Sequence, residues 1–411
     1  MFYTQHNCTR TQDLTRAAAT TLLALSMLVS AGCGGGSPAG NAEEASASSG
    51  PLSAQAALGE LIFRDPSLSA SGRQSCSSCH DPAQAHASPN ALPAQLGGAA
   101  LDLQGGRNSP SLRYLADNRG FRFEADGTPT GGFFWDGRAT SLQEQAGKPL
   151  LNPLEMANAS PAEVVARLSK AAYAAQFQQV FGTDIFSRPE AAFARLTLSL
   201  QAYQLEDSDF RPFSSKYDAF LRGNASLTAT EQRGLALFNS PAKGNCAACH
   251  PSARSADGSL PLFTDFSYDN LGVPRNPALL QNVDPSSFDL GLCARPDGSL
   301  ASRSDLCGAF KVPSLRNVAS RGAYFHNGRF SSLREVLQFY VQRDTRPERW
   351  YPLRADGTPD KFNDLPTAWR SNVNTREAPY NRRLGQAPAL DEAEIDELLA
   401  FLLTLNDGYR P

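Results

Sequence analysis

Cys76-Ser77-Ser78-Cys79-His80 and Cys246-Ala247-Ala248-Cys249-His250 are two copies of one chemical device, set 170 residues apart. Two cysteines with two residues between them can each form a thioether to the edge of a porphyrin. The histidine that follows at once is then placed to ligate the iron, which is the attachment pattern of c-type haem. A lone pair of cysteines at this spacing also serves redox dithiols and zinc knuckles. Zinc would need further ligands, and only His6, His86 and His326 lie outside the two motifs. Two covalently bound c-type haems, with iron on His80 and His250, are therefore expected, and with them redox chemistry.

The remaining cysteines point to a compartment. Residues 1–17 carry Arg10 and Arg16, an apolar stretch runs from Ala18 to Val29, and Ser30-Ala31-Gly32-Cys33 follows. That order reads as an export signal and is too short for a convincing membrane span. Cys33 directly after Ala-Gly resembles a bacterial lipoprotein signal, although serine three residues before the cysteine is less usual than leucine. The expectation is a periplasmic protein that touches a bacterial membrane only through a lipid on Cys33. Of the eight cysteines, Cys8 falls in this leader, Cys33 is the lipid candidate and four hold haem. Cys293 and Cys307 remain, and in an oxidising compartment they are expected to form a disulfide closing a Gly/Asp/Ser/Pro-rich loop. The alternative is two unrelated buried thiols.

These groups need a body to hold them. The chain has 411 residues, a net charge of −3 and 41% hydrophobic residues, which allows two domains with ample core. No basic run points to nucleic acid. The reading divides the chain into a signal (1–33), a flexible tether (34–50), a first haem domain (51–209) and a second (210–411). Helix starts are legible at Ser160-Pro161-Ala162-Glu163, Ser187 with Glu190, Thr228 with Glu231, Ser332 with Glu335, and Asp391 with Glu394. No strand-rich region emerges. The fold class expected is mainly α: two cytochrome-c-like haem domains with extensive loops, loosely duplicated. Apart from Cys, His and the helix entering each motif, the copies are expected to share little sequence. In the helix after Ser332, Leu333, Val336, Leu337 and Tyr340 recur on one face, so Tyr340 should point where the apolar side chains point.

Further stretches complete a family pattern. Phe134-Trp135-Asp136-Gly137-Arg138-Ala139, Asn152-Pro153-Leu154-Glu155-Met156, Phe310-Lys311-Val312-Pro313-Ser314-Leu315-Arg316-Asn317 and Tyr324-Phe325-His326-Asn327-Gly328 occur in the order seen in the bacterial dihaem cytochrome c peroxidase and MauG superfamily. With both haem motifs, residues 53–408 resemble that family. The resemblance implies hydrogen peroxide as oxidant, a peroxidatic N-terminal haem and an electron-transferring C-terminal haem. It places Trp135 between the haems and makes Gln145 and Glu155 the distal catalytic pair. A carboxylate there can move a proton from one peroxide oxygen to the other, whereas in isolation Glu155 reads as an exposed helix-start or loop residue. The resemblance also implies a calcium ion, ligated by the Asn108 side chain and the Arg321 and Ala323 carbonyls, where the family often has threonine and proline at the last two places.

Classical members carry a methionine fourteen residues after the histidine of the Tyr-Phe-His motif; here that place is Tyr340, and Met1, Met27 and Met156 are the methionines of the chain. Tyrosine as second axial ligand is the MauG-type choice and implies a shared high-valent dihaem state; a core tyrosine, with His or water on the iron, is the alternative. His326 reads as structural or as a neighbour of haem propionates. MauG's surface tryptophan, two residues before the second motif, is matched by Gly244, so electrons would leave by another route. Arg349-Trp350-Tyr351-Pro352, Ser371-Asn372-Val373-Asn374 and Asp407-Gly408-Tyr409 look more like the MbnH-type branch. That branch implies oxidation of a small secreted, copper-associated partner protein, tryptophan to kynurenine. The competing readings are a peroxidase fed by a small redox protein and a dihaem electron carrier.

Overall fold

The computed structural model describes residues 50–411. The signal, Cys33 and the tether up to residue 49 lie outside the described residues. The helices are α1 (Ala54–Arg64), α2 (Cys76–Cys79), α3 (Leu142–Leu151), α4 (Pro161–Leu168), α5 (Ala174–Phe181), α6 (Pro189–Glu206), α7 (Lys216–Leu221), α8 (Ala229–Asn239), α9 (Leu333–Gln342) and α10 (Glu392–Leu403). Sheet is confined, among the described residues, to three two-stranded antiparallel ribbons. They pair β1 (Leu96–Gly97) with β2 (Leu103–Gln104), β3 (Arg122–Phe123) with β4 (Pro129–Thr130), and β5 (Tyr268–Asp269) with β6 (Phe310–Lys311). The fold is mainly α. No helix of the described residues is long and apolar enough to cross a membrane.

Helix starts follow local chemistry. Thr228 and Glu231 make a reciprocal capping box on α8, as Asp391 and Glu394 do on α10, each cap contributing about 1 kcal/mol. Ser160 caps α4 by accepting from the Glu163 amide. Ser187 does not cap α6: it ends a separate turn and its hydroxyl donates to Asp184 O. Pro189 sets the start of α6 instead, because proline at the first helical position needs no amide partner. Ser332 precedes α9 but makes no cap bond.

Two large hydrophobic cores form among the described residues. One draws on α1, α4, α5 and α6 through Leu58, Ile62, Phe63, Val164, Phe177, Leu196 and Tyr203. The other draws on α8, α9 and α10 through Phe238, Val336, Phe339, Leu398 and Phe401. Each fully buried side chain of this kind contributes about 1.5–3 kcal/mol. Both cores use the same crossing. A Cβ on Gly59 of α1 would fall 2.0 Å from Ser199 O of α6, and one on Gly234 of α8 would fall 2.0 Å from Glu397 O of α10. Glycine is what allows each helix to lie directly on its partner's backbone.

The halves are joined by buried charge. Arg107 grips Asp289 with Nε and Nη2 (2.6 and 2.7 Å) and donates from Nη1 to Asp136 (2.7 Å). Burial alone would raise the Asp289 carboxyl, but the guanidinium outweighs it and holds the group at about 2. Arg316, paired within the second half with Asp218 (2.8 and 2.9 Å), reaches across to lie over the Tyr114 ring. Asp407 accepts from Tyr114, Arg113 and Asn317, so the Asp407-Gly408-Tyr409 stretch clasps both halves.

Two outcomes follow from this packing. Gly234→Ala should lower stability by about 1–3 kcal/mol through forced overpacking, read as a drop in melting temperature with haem content unchanged. For Asp289 the folded carboxyl lies below its ordinary value, so its stabilising effect is full above 3.8 and is lost as pH falls through about 2. Asp289→Asn should therefore flatten the acid-side fall in melting temperature within that window. A slope equal to wild type would contradict the role.

Candidate functional site

Each motif histidine is tethered by backbone carbonyls. His80 Nδ1 lies 3.0 Å from Pro110 O and 3.2 Å from His86 O. His250 Nδ1 lies 2.8 Å from Phe263 O and is also bonded to Pro313 O. Carbonyls accept, so Nδ1 carries the proton and Nε2 is the lone-pair nitrogen. Burial lowers both imidazoles, His80 to about 4, and keeps them neutral as iron ligands must be.

The tethers expose a repetition that the sequence reading missed. Pro110-Ser111-Leu112-Arg113 and Pro313-Ser314-Leu315-Arg316 follow the two motifs, and Ser111 and Ser314 both donate to a carbonyl at 2.6 Å. The turns Phe133–Ala139 and Tyr324–Phe330 are each closed by a bridge between their first and last residues. Each has a left-handed phenylalanine at its second place, Phe134 (φ 65°) and Phe325 (φ 64°), and a left-handed glycine at its fifth, Gly137 and Gly328. The halves thus share more sequence than Cys, His and the entering helix.

In the first pocket Glu155 stands beside the cysteines, close enough to act electrostatically on Cys76 and Cys79. Its backbone is pinned by Gly98 N donating to Glu155 O (2.7 Å), and Gly97 packs so tightly that a Cβ would meet Leu154 O at 2.3 Å. Burial raises the Glu155 carboxyl; the Arg138 charge and a hydrogen bond from Asn152 Nδ2 (2.8 Å) pull the other way. The amide on Glu155 is therefore Asn152, three residues earlier, and not Gln145. Gln145 lies on α3, half-buried, with no side-chain hydrogen bond among the described residues. Asn152 was visible in the Asn152-Pro153-Leu154-Glu155 stretch, since a side chain three residues away across a turn is within reach.

The second pocket is an open-mouthed cavity of about 1610 Å³ including its mouth. Cys246, Cys249 and His250 line it together with Tyr340 and the apolar Leu333, Val336 and Leu337 of α9. The Tyr340 ring sits 5.8 Å from Phe325 and 5.9 Å from Tyr380, and its hydroxyl has no hydrogen-bond partner among the described residues. Burial raises the phenol, with Cys246 and Asp269 adding to the effect. Asp269, itself raised by burial to about 6, and Tyr380 were not legible as site residues, because each is far in sequence from the motif it faces. A neutral tethered imidazole, two cysteines outside any disulfide and a large apolar cavity fit a covalent haem. The first motif repeats that donor set. Cys293 and Cys307 are joined in a disulfide, and their loop builds a small core of its own.

Between the pockets the chain crosses itself. Trp135 donates from Nε1 to Asn108 O (2.8 Å), two residues before the Pro110 carbonyl that holds His80, and Trp135 also lines the second cavity. Asn108 N donates to His326 O (2.7 Å) and Lys311 N donates to Trp135 O (2.8 Å). Lys311, whose amine burial lowers to about 7, donates to Gly132 O (2.6 Å). His326 stacks on Phe310 at 3.5 Å, with Nε2 buried and unbonded and 3.9 Å from Asp364. At Gly244 a Cβ would meet Leu237 O at 2.8 Å, so this turn leaves no room for a side chain. Trp350 is buried, and Tyr351 donates to Gly272 O (2.6 Å).

Asn108, Arg321 and Ala323 are brought together, but not as a calcium cage. The Arg321 guanidinium donates to Asn108 Oδ1, to Ser109 O (3.1 Å) and to Ala323 O (3.4 Å). It occupies two of the three oxygens expected to bind the ion, and its positive charge would repel one. The residues present do not fit calcium.

The family model for di-haem cytochrome c peroxidase matches residues 53–226. The methylamine utilization protein MauG of Paracoccus denitrificans is 38% identical, over 91% of this chain and 93% of its own length. Among solved structures, the diheme peroxidase BthA of Burkholderia thailandensis aligns with a TM-score of 0.80 at 42% identity, covering 87% of each chain. A MauG-like protein associated with microbial copper homeostasis aligns with a TM-score of 0.59 at 26% identity, over 90% of this chain and 96% of its own.

Proposed function

We propose the following for this chain, which belongs to the di-haem cytochrome c peroxidase and MauG family: it uses hydrogen peroxide to oxidise a partner protein. Membership makes it a peroxide-dependent oxidoreductase with two c-type haems. The finer reading is a secreted partner in the periplasm, copper-associated, with tryptophan converted to kynurenine. Attachment to the membrane is through a lipid on Cys33.

The observation that carries this reading is the unlikeness of the two pockets. A deep carboxylate, Glu155, faces the first motif, and a phenol without a hydrogen-bond partner, Tyr340, faces the second. Cys76 and Cys79 would hold one haem with His80, Cys246 and Cys249 the other with His250. When bound, the haems supply iron that accepts the two oxidising equivalents of peroxide. Glu155 would take a proton from one peroxide oxygen and return it to the departing one. Asn152 aims that carboxylate, and the Arg138 charge opposes part of the upward push of burial. Gln145, whose side chain makes no hydrogen bond among the described residues, is kept as the distal amide for peroxide that the family resemblance implies. Tyr340 would offer the second iron a hard oxygen donor, of the kind that favours higher oxidation states. Trp135, its N–H held by Asn108, is the route between the pockets. With no side chain at Gly244, the oxidising equivalents leave by other residues. A second reading, peroxide reduction with electrons from a small redox protein, draws support from the 42% identity to the peroxidase BthA.

Holoprotein incubated with peroxide and a candidate secreted partner should yield a partner carrying kynurenine in place of one tryptophan, read by intact and peptide mass spectrometry. Peroxide consumption that oxidises a small redox protein and leaves every partner unmodified would favour the second reading. Glu155→Gln should keep both haems and slow the reaction with peroxide by about 10²–10⁴-fold; stopped-flow rates equal to wild type would reject the proton role. Tyr340→Met should retain covalent haem, lose the phenolate bands seen by resonance Raman in wild type, and suppress partner oxidation. A wild-type spectrum without those bands removes the ligand assignment.

A further inference from the structure

We infer that the Arg321 guanidinium is the built-in cation of the junction between the haem pockets, and that this chain holds no calcium there. Three neutral oxygens converge on one charged group. Arg321 Nη2 donates to Asn108 Oδ1 and Ser109 O, and Nε reaches Ala323 O. No ion pair joins Arg321 to a carboxylate among the described residues, and Tyr324 is the group that favours its charge. Burial accordingly lowers the guanidinium to about 10, still far above neutral pH, so it stays positive. A buried arginine is ordinarily paired with an acid. Here the counterpart is a ring of amide and peptide oxygens, the donor type that suits a hard cation. The forked, planar head meets several such oxygens at once, which a lysine could not do.

The place matters because of what the oxygens belong to. Asn108 receives the Trp135 indole N–H on its carbonyl and Arg321 on its side chain, while its amide holds His326 O. Ser109, also held by Arg321, is followed by Pro110, whose carbonyl orients His80. Arg321 comes from the second half and lines the second cavity. One side chain therefore ties the first imidazole, the bridging indole and the second pocket together. A bound metal would do so only while it stayed bound, whereas a covalent guanidinium cannot be chelated away.

The inference does not rest on the peroxide reading, since metal content and melting are measured without turnover. Dihaem holoprotein passed through calcium-containing buffer and desalted should carry well under one calcium per two irons by inductively coupled plasma mass spectrometry. Its haem absorption and melting temperature should be unchanged by EGTA. One equivalent of retained calcium, lost to EGTA together with a spectral change, would overturn the inference. Arg321→Thr in calcium-free buffer should melt lower than wild type and shift the haem spectra, with added calcium restoring part of the loss. An Arg321→Thr protein with wild-type melting and spectra, with and without calcium, would equally overturn it. Should that variant fail to fold, Arg321→Lys keeps a charge without the fork and should melt below wild type, and the wild-type metal analysis decides on its own.

Discussion

Two backbone hydrogen bonds hold the pockets in fixed relation: Asn108 N to His326 O and Lys311 N to Trp135 O. Each half sends the segment that precedes its Pro-Ser-Leu-Arg run into the aromatic turn of the other half. Such bonds contribute only about 0.5–1.5 kcal/mol each, and their value is geometric. Because Pro110 and Pro313 lie two residues beyond the bonded positions and hold His80 and His250, the position of one imidazole depends on the fold of the opposite half. The Arg107–Asp289 ion pair and the Arg316 guanidinium lying over the Tyr114 ring then lock the same junction.

On this frame the pockets diverge by a few side chains. Carbonyl tethers, neutral imidazoles and paired cysteines are common to both. The differences are Glu155 with Asn152 and Arg138 on one side, and Tyr340 with Asp269 and Tyr380 on the other. Equal attachment with unequal surroundings allows one iron to receive a substrate while the other stores charge, which is the division the proposed chemistry needs.

Legibility tracked how local each constraint is. The haem motifs were plain because thioether attachment requires contiguous residues, and Tyr340 was placed correctly by helical spacing from Leu333 and Val336. The imidazole tethers were not, since Pro110, His86 and Phe263 act through carbonyls that any residue possesses. Asn152 was not read as the partner of Glu155, because spacing shows which residues are present and not which amide reaches a carboxylate. Pro-Ser-Leu-Arg occurs in both halves and could have been read. It stands 30 residues beyond His80 and 63 beyond His250, so unequal loops hid the repeat. The calcium expectation failed on a side chain: Arg321 was matched through its carbonyl, and its guanidinium took the oxygens instead.

On the proposed reading, one haem is open to small ligands and the other is closed by Tyr340. Electron paramagnetic resonance of the resting ferric holoprotein during a cyanide titration tests it directly. Two unlike ferric signals are expected, and only the one belonging to the His80 haem should convert as cyanide is added. Two signals that convert together, or a His80 haem that takes no cyanide while the His250 haem does, would contradict it.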